Sequence, residues 1–147
     1  MMQNGEAWAP GPAVRRVTLQ VRRLERSITF YRHVLGFRVV ADARHEREPW
    51  VIMAALGQAC LTLREEKGLS NVSPVDVARR SAQSLRLSAG DLDATRASLW
   101  DQGVPLAHGT REPGETGNAR RSLFVRDPDG HLIELVETAR LVEPGTP

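Results

Sequence analysis

The chain has 147 residues, 41% of them hydrophobic, and a net charge of only +2, the profile of one globular domain or of two small modules sharing a core. No apolar run is long enough to span a bilayer, and the opening MMQNGEAWAPGPA lacks the apolar core of a signal peptide, so a cytoplasmic protein with no membrane partner is expected. A single cysteine, Cys60, excludes an internal disulfide framework and a cysteine-based zinc site. Apart from Lys67 every Lys/Arg position is arginine, interleaved with Asp and Glu in runs no longer than a pair. That is the pattern of a solvated surface and predicts no nucleic-acid partner.

In chain order, residues 1–13 carry Gly5, Pro10, Gly11 and Pro12 without periodicity and read as a flexible tail. Residues 14–22 alternate, with Val17, Leu19 and Val21 on one face and Arg16, Thr18, Gln20 and Arg22 on the other, which predicts a half-buried strand. Leu24, Ile28, Tyr31 and Leu35 repeat at helical spacing up to Gly36, an amphipathic helix with a glycine stop. Strands are expected over 37–41, 50–56 and 59–64, with Gly57 and Gln58 turning between the last two. Residues 65–81 are polar, hold Gly68 and Pro74, and read as a linker with a short helical turn after Pro74.

The pattern then restarts. Residues 82–88 form an alternating strand with Leu85 and Leu87 on one face and Ser84, Arg86 and Ser88 on the other. Asp91 is placed to cap a helix carrying Leu92, Leu99 and Trp100, with Gly103 as its stop and Trp100 expected in the core. Strands follow over 104–107, 122–126 and 132–137, separated by a long loop at 109–121 and by the Asp127-Pro128-Asp129-Gly130 turn. The chain is therefore one βαβββ unit written twice. We expect an α+β fold with two βαβββ modules in tandem, a curved mixed-sheet cup and helices on its outer face. The boundaries are a tail at 1–13, module 1 at 14–66, a linker at 67–81, module 2 at 82–138 and a tail at 139–147.

Glu134 stands out within the last strand. It shares a face with Leu132 and Val136, and a carboxylate among apolar neighbours is costly to desolvate unless something pairs with it. The face that carries it reads as a wet concave surface or a site.

The duplication, with FYRHVLGF after the first strand and DPDGHLIEL at the end, resembles the vicinal oxygen chelate superfamily. That group includes glyoxalase I, extradiol dioxygenases, fosfomycin-resistance thiol transferases and bleomycin-resistance proteins. The resemblance covers 14–138 as one glyoxalase-like domain. In metal-using members it implies a divalent ion held by a histidine from the first strand of each module and a glutamate from the last. The glutamate falls on Glu134, but the histidine positions fall on Arg16 and on Ala82 or Ser84. One carboxylate does not make a site, and a guanidinium repels a cation. No metal or other cofactor is expected, and an Arg16–Glu134 pair across the cup is expected instead. The four histidines, His33, His45, His108 and His131, read as surface or turn residues.

The resemblance thus points to the metal-free, bleomycin-resistance-type branch, with an antibiotic-resistance or sequestering role and two chains pairing as a homodimer. The expected ligand-binding set is Arg16, Thr18, Gln20, Trp50, Cys60, Thr62, Ser84, Arg86, Ser122, Phe124 and Glu134, with Ser88 on the same face. Thr18 and Arg86 match positions near substrate in several members. Phe124 stands where fosfomycin enzymes carry a tyrosine, which argues against that substrate. Trp50 suits stacking at the rim or packing against a partner. If the protein catalyses anything, Glu134 is the candidate, as a general base or in an unusual metal site of a lyase, isomerase or dioxygenase. A structural module with a closed cup is the third reading.

Overall fold

In the computed structural model, residues 16–55, 60–69, 72–73, 76, 85–111 and 120–137 are described, without the side chains of Cys60 and of 108–111. The first module runs β1 (Val17–Val21), α1 (Leu24–His33), β2 (Arg38–Ala43), β3 (Trp50–Ala54) and β4 (Cys60–Glu65). The second runs β5 (Leu85–Gly90), α2 (Leu92–Asp101), β6 (His108–Arg111), β7 (Ser122–Arg126) and β8 (Leu132–Glu137). Each module makes a four-stranded mixed sheet, in the orders β1-β4-β3-β2 and β5-β8-β7-β6. The parallel pair in each, β1 with β4 and β5 with β8, is the one joined through the rest of the module. The remaining pairs are antiparallel.

The period-2 pattern decides which way each sheet faces. Leu19, Val21, Val51, Met53, Leu61 and Leu63 are all 0% exposed and lie on the side covered by α1, whose Leu24, Ile28 and Tyr31 pack down onto them. Leu85, Leu87, Leu123, Val125, Ile133 and Leu135 do the same in module 2 beneath Leu92 and Leu99 of α2. Both sets belong to one continuous core. The two helix-covered faces are thus joined, and the other face of each sheet is left for something else.

The predicted helix ends hold. Gly36 has φ +75° and lets the Phe37 N–H turn back to the Tyr31 carbonyl at 2.9 Å, beyond the reach of a β-carbon-bearing residue without strain. Asp91 caps α2: its Oδ1 accepts from the N–H groups of Asp93 (3.0 Å) and Ala94 (3.2 Å). Asp91→Ala should therefore cost about 1 kcal/mol in urea denaturation, with an unchanged m-value.

Three expectations are corrected. Residues 104–107 are not a strand; the strand is His108–Arg111, all but its first residue within the 109–121 stretch expected to be loop. Trp100 is not core but 84% exposed, because the buried stripe of α2 is Leu92 and Leu99, seven residues apart, and the next position is rotated by about 100°. His131 is neither exposed nor idle: it is 1% exposed and its Nε2 lies 2.8 Å from the Gln20 carbonyl oxygen. A carbonyl can only accept, so Nε2 carries the proton. In the linker a 3-10 turn forms over Lys67–Leu69, and the rest of 70–81 lies outside the described residues apart from Val72, Ser73 and Asp76.

The Asp127–Gly130 turn does more than reverse the chain. The Gly130 N–H meets the Asp127 carbonyl at 2.9 Å, with Gly130 at φ +88°. Asp127 Oδ1 accepts from the N–H groups of Asp129 and His131, and its Oδ2 accepts from the Tyr31 hydroxyl at 2.8 Å. Asp129, 0% exposed, accepts at Oδ1 from the Arg22 backbone N–H (3.0 Å) and side-chain Nε (2.9 Å), and at Oδ2 from the Ser27 hydroxyl (3.2 Å). Arg22 Nη2 also reaches the Pro128 carbonyl at 3.0 Å. Two buried carboxylates on a module 2 turn thus draw donors from module 1, Tyr31 for Asp127 and Arg22 and Ser27 for Asp129, and this clasp ties the modules together within one chain.

Candidate functional site

The helix-free face is built by strand register. In module 1 it comprises Thr18 and Gln20 of β1, Thr62 and Arg64 of β4, and Trp50, Ile52 and Ala54 of β3, through the pairs Thr18↔Thr62, Gln20↔Arg64, Trp50↔Arg64 and Ile52↔Thr62. In module 2 it comprises Arg86 of β5, Leu132, Glu134 and Val136 of β8, and Ser122, Phe124 and Arg126 of β7, through Arg86↔Glu134, Phe124↔Glu134 and Ser122↔Val136. Ser88 is exposed and follows Arg86 by two. Most of the expected ligand-binding set therefore lies on the helix-free side of one sheet or the other. The side chain of Cys60, and Ala82 and Ser84 entirely, lie outside the described residues.

At the centre of the module 2 half sits an ion pair. Arg86 Nε lies 3.4 Å from Glu134 Oε1, with the arginine side chain 59% exposed and the carboxylate 20% exposed. The expected Arg16–Glu134 pair is corrected by this geometry. Arg86 stands beside Glu134 in register on the neighbouring strand, whereas Arg16 precedes β1 in the other sheet and is exposed. Phe124, 6% exposed, flanks Glu134 on its other side. Trp50 is half-buried at the start of β3, opposite Arg64.

Two hydroxyls on this face are buried without a hydrogen-bond partner, Thr62 Oγ1 and Ser122 Oγ, and Ser122 is only 1% exposed. An unpaired buried hydroxyl is costly, and a ligand that supplies its partner recovers that cost. The module 1 sheet offers a hydroxyl and an amide on its helix-free side, and the module 2 sheet a hydroxyl, a guanidinium and an aromatic edge on its own, groups that suit an organic ligand.

The residues do not fit the divalent ion of the metal-using pattern. Arg16 holds the first histidine position, and a guanidinium, that of Arg86, stands 3.4 Å from the carboxylate of Glu134. Among the described residues no group of three His, Cys, Asp or Glu comes together. His33 and His45 are exposed, and His131 is turned to Gln20.

A cavity of about 370 Å³ lies elsewhere, on the helix-covered side where the end of α1 (Val34, Leu35) and Phe37 approach Ala94, Ser98 and Leu99 of α2. Ser98, one of its lining residues, stands five before Gly103 as Tyr31 stands five before Gly36.

The family model for the glyoxalase/bleomycin resistance protein/dioxygenase superfamily matches residues 13–135. The chain belongs to this superfamily. Within it, the chain is 32% identical over 123 residues to a catechol-2,3-dioxygenase of Bacillus subtilis, covering 80% of this chain but only 38% of the dioxygenase. It is 26% identical over 136 residues to the metallothiol transferase FosB of Shouchella clausii, covering 88% of this chain and 82% of the transferase. Among solved structures it is similar to an integron cassette protein from the Halifax Harbour sewage outfall (TM-score 0.64, 24% identity, 86% of this chain and 99% of that one). It is also similar to a lactoylglutathione lyase from Agrobacterium tumefaciens (TM-score 0.63, 21% identity, 88% and 96%). These likenesses carry the superfamily fold of tandem βαβββ modules; no helix among the described residues is long and apolar enough to cross a membrane.

The clasp residues Asp127 and Asp129 were missed as more than turn formers. Their module 1 donors lie 96 to 107 residues away, and no local pattern connects them.

Proposed function

We propose that this superfamily member binds a small organic molecule on the helix-free face and does so without a metal ion. The observation that carries the reading is the Arg86–Glu134 pair, which occupies the one retained ligand carboxylate with a cation of the protein's own. Arg16 at the first histidine position works in the same direction. The contacting set is Thr18, Gln20, Trp50, Thr62, Arg86, Ser122, Phe124 and Glu134, with sequestration of the molecule, as in antibiotic resistance, as the role. Protein purified without chelator should retain no stoichiometric divalent ion by elemental analysis. A one-to-one ion that is lost in Glu134→Gln would overturn this reading in favour of a metal-dependent lyase, isomerase or dioxygenase. That second reading draws on the similarity to a dioxygenase and to a metallothiol transferase.

The working unit in this proposal is a cytoplasmic homodimer whose grooves are completed by both chains. Light scattering after size exclusion should give twice the chain mass of 16.3 kDa. A monomer at all concentrations would contradict it.

A further inference from the structure

We propose that the cavity between the end of α1 and α2 is a second ligand site, separate from the helix-free face, and that it takes a small apolar molecule ending in a protonated amine. The cavity holds about 370 Å³, within the range of small-molecule sites and far more than a single water fills. Its floor is Phe37, Leu87, Leu99 and Leu135, each no more than 5% exposed, and Val34 and Leu35 make one wall. Covering such a floor with an apolar body is favourable in proportion to the area removed from water. The space has a cause in the sequence. α1 buries Leu24, Ser27, Ile28 and Tyr31, whereas α2 buries only Leu92 and Leu99. Counted from the start of each ten-residue helix, Tyr31 of α1 is matched by Leu99 of α2. Asp127 directly follows β7, and Ala55 directly follows β3. The phenol–carboxylate contact of the clasp thus has Leu99 and Ala55 at its matching positions, and both line the cavity.

The polar rim decides the charge of the ligand. It consists of Ser88, Asp91, Thr95 and Ser98, and no Lys, Arg or His lines the cavity. Asp91 is its one charged side chain. The ion pairs of α2 run through Asp93 instead, to Arg96 and Arg121. Asp91 Oδ1 takes the N–H groups of Asp93 and Ala94, so the helix N-terminus is already satisfied by this carboxylate and offers little to an anion. Its Oδ2 accepts no hydrogen bond among the described residues. The Thr95 hydroxyl gives its proton to the Ala89 and Asp91 carbonyls, at 3.1 and 2.9 Å, and so has only lone pairs left to offer. An apolar floor rimmed by acceptors and one negative charge selects a donor that is also a cation, and it disfavours a carboxylate.

The test uses the full chain and three probes of matched shape, phenethylamine, phenylethanol and phenylpropionate, followed by amide chemical shifts at constant ionic strength. Phenethylamine should shift the amides of residues 34–37 and 91–99, with phenylethanol weaker by about tenfold and phenylpropionate weaker still. Asp91→Asn removes the charge and keeps the cap, since asparagine caps a helix as well as aspartate does. It should lose about tenfold in phenethylamine affinity and leave phenylethanol unchanged. Asp101→Asn, the same charge change at the other end of α2, should lose none. Ala94→Leu enlarges a lining side chain with a good helix former and should weaken the amine and the alcohol alike. Phenylpropionate binding as tightly as the amine overturns the proposal, as does equal amine affinity in wild type and Asp91→Asn. Cavity amides that move with protein concentration alone would make this face a chain–chain contact and overturn the ligand site. Shifts at Thr18, Thr62 and Phe124 with none at the cavity overturn it too, while leaving the reading of the helix-free face standing. So does the absence of any shift at the cavity.

Discussion

Asp129→Ala should be the most damaging single substitution outside the apolar core. It should lower the unfolding free energy by about 3–5 kcal/mol, because it leaves a half-buried guanidinium without its carboxylate. Asp129 is fully buried and receives Arg22 twice and Ser27 once, with Arg26 Nη2 a further 3.9 Å away. For a chain of this size that loss corresponds to a fall in Tm of roughly 6–20 °C. Asp129→Asn keeps the shape and one acceptor but not the charge, and should fall between. A change below about 1 kcal/mol for Asp129→Ala would mean that the clasp contributes little to joining the modules.

Tyr31→Phe should cost about 1–3 kcal/mol at neutral pH, the range for removing a buried hydrogen bond to a carboxylate. The hydroxyl donates to Asp127 at 2.8 Å and both groups are buried. Burial first, then the negative charge of Asp127, raises the Tyr31 pKa well above its ordinary 10.0. A raised folded value means that the unfolded chain releases its proton first. The stability is present below pH 10 and is lost as pH rises beyond it, by about 1.4 kcal/mol per pH unit. Tyr31→Phe has no such loss, so its deficit against wild type should shrink above pH 10. Tyr31 is the only tyrosine in the chain. Tyrosinate absorbance should consequently stay absent near pH 10 and appear together with unfolding; ordinary titration near 10 in the folded protein would contradict the buried contact.

Asp127 has its pKa raised from the ordinary 3.8, chiefly by burial, with the charge of His131 and the Tyr31 hydrogen bond pulling the other way. Its contribution is therefore complete below pH 3.8 and declines as pH rises through the folded value, opposite to the usual behaviour of a paired surface carboxylate. In Asp127→Asn that component of the pH profile should be missing.

Much of the architecture was legible because it is written in local periodicity. Alternation at 17–21 and 85–88 gave the faces, Gly36 and Gly103 gave the helix ends, and Asp127–Gly130 gave the turn. Neighbours across strands were not legible. Period 2 places Glu134 on the helix-free face but says nothing of whether Arg16 or Arg86 stands beside it, and the β5–β8 register decides for Arg86. The position of Trp100 was misread because an aromatic near the end of a helix looks like core unless the stripe is traced residue by residue. β6 was displaced by a few residues because His108–Arg111 (HGTR) carries no apolar alternation. The clasp was invisible because its halves lie in different modules.

The most direct test of the central claim is a crystallographic fragment screen on chelator-treated protein. The account predicts small organic fragments on the helix-free face, in contact with Arg86 and Phe124 and within reach of Ser122 or Thr62, with Glu134 still beside Arg86. Fragments that leave this face empty, or that occupy it only when a divalent ion sits on Glu134, would contradict it.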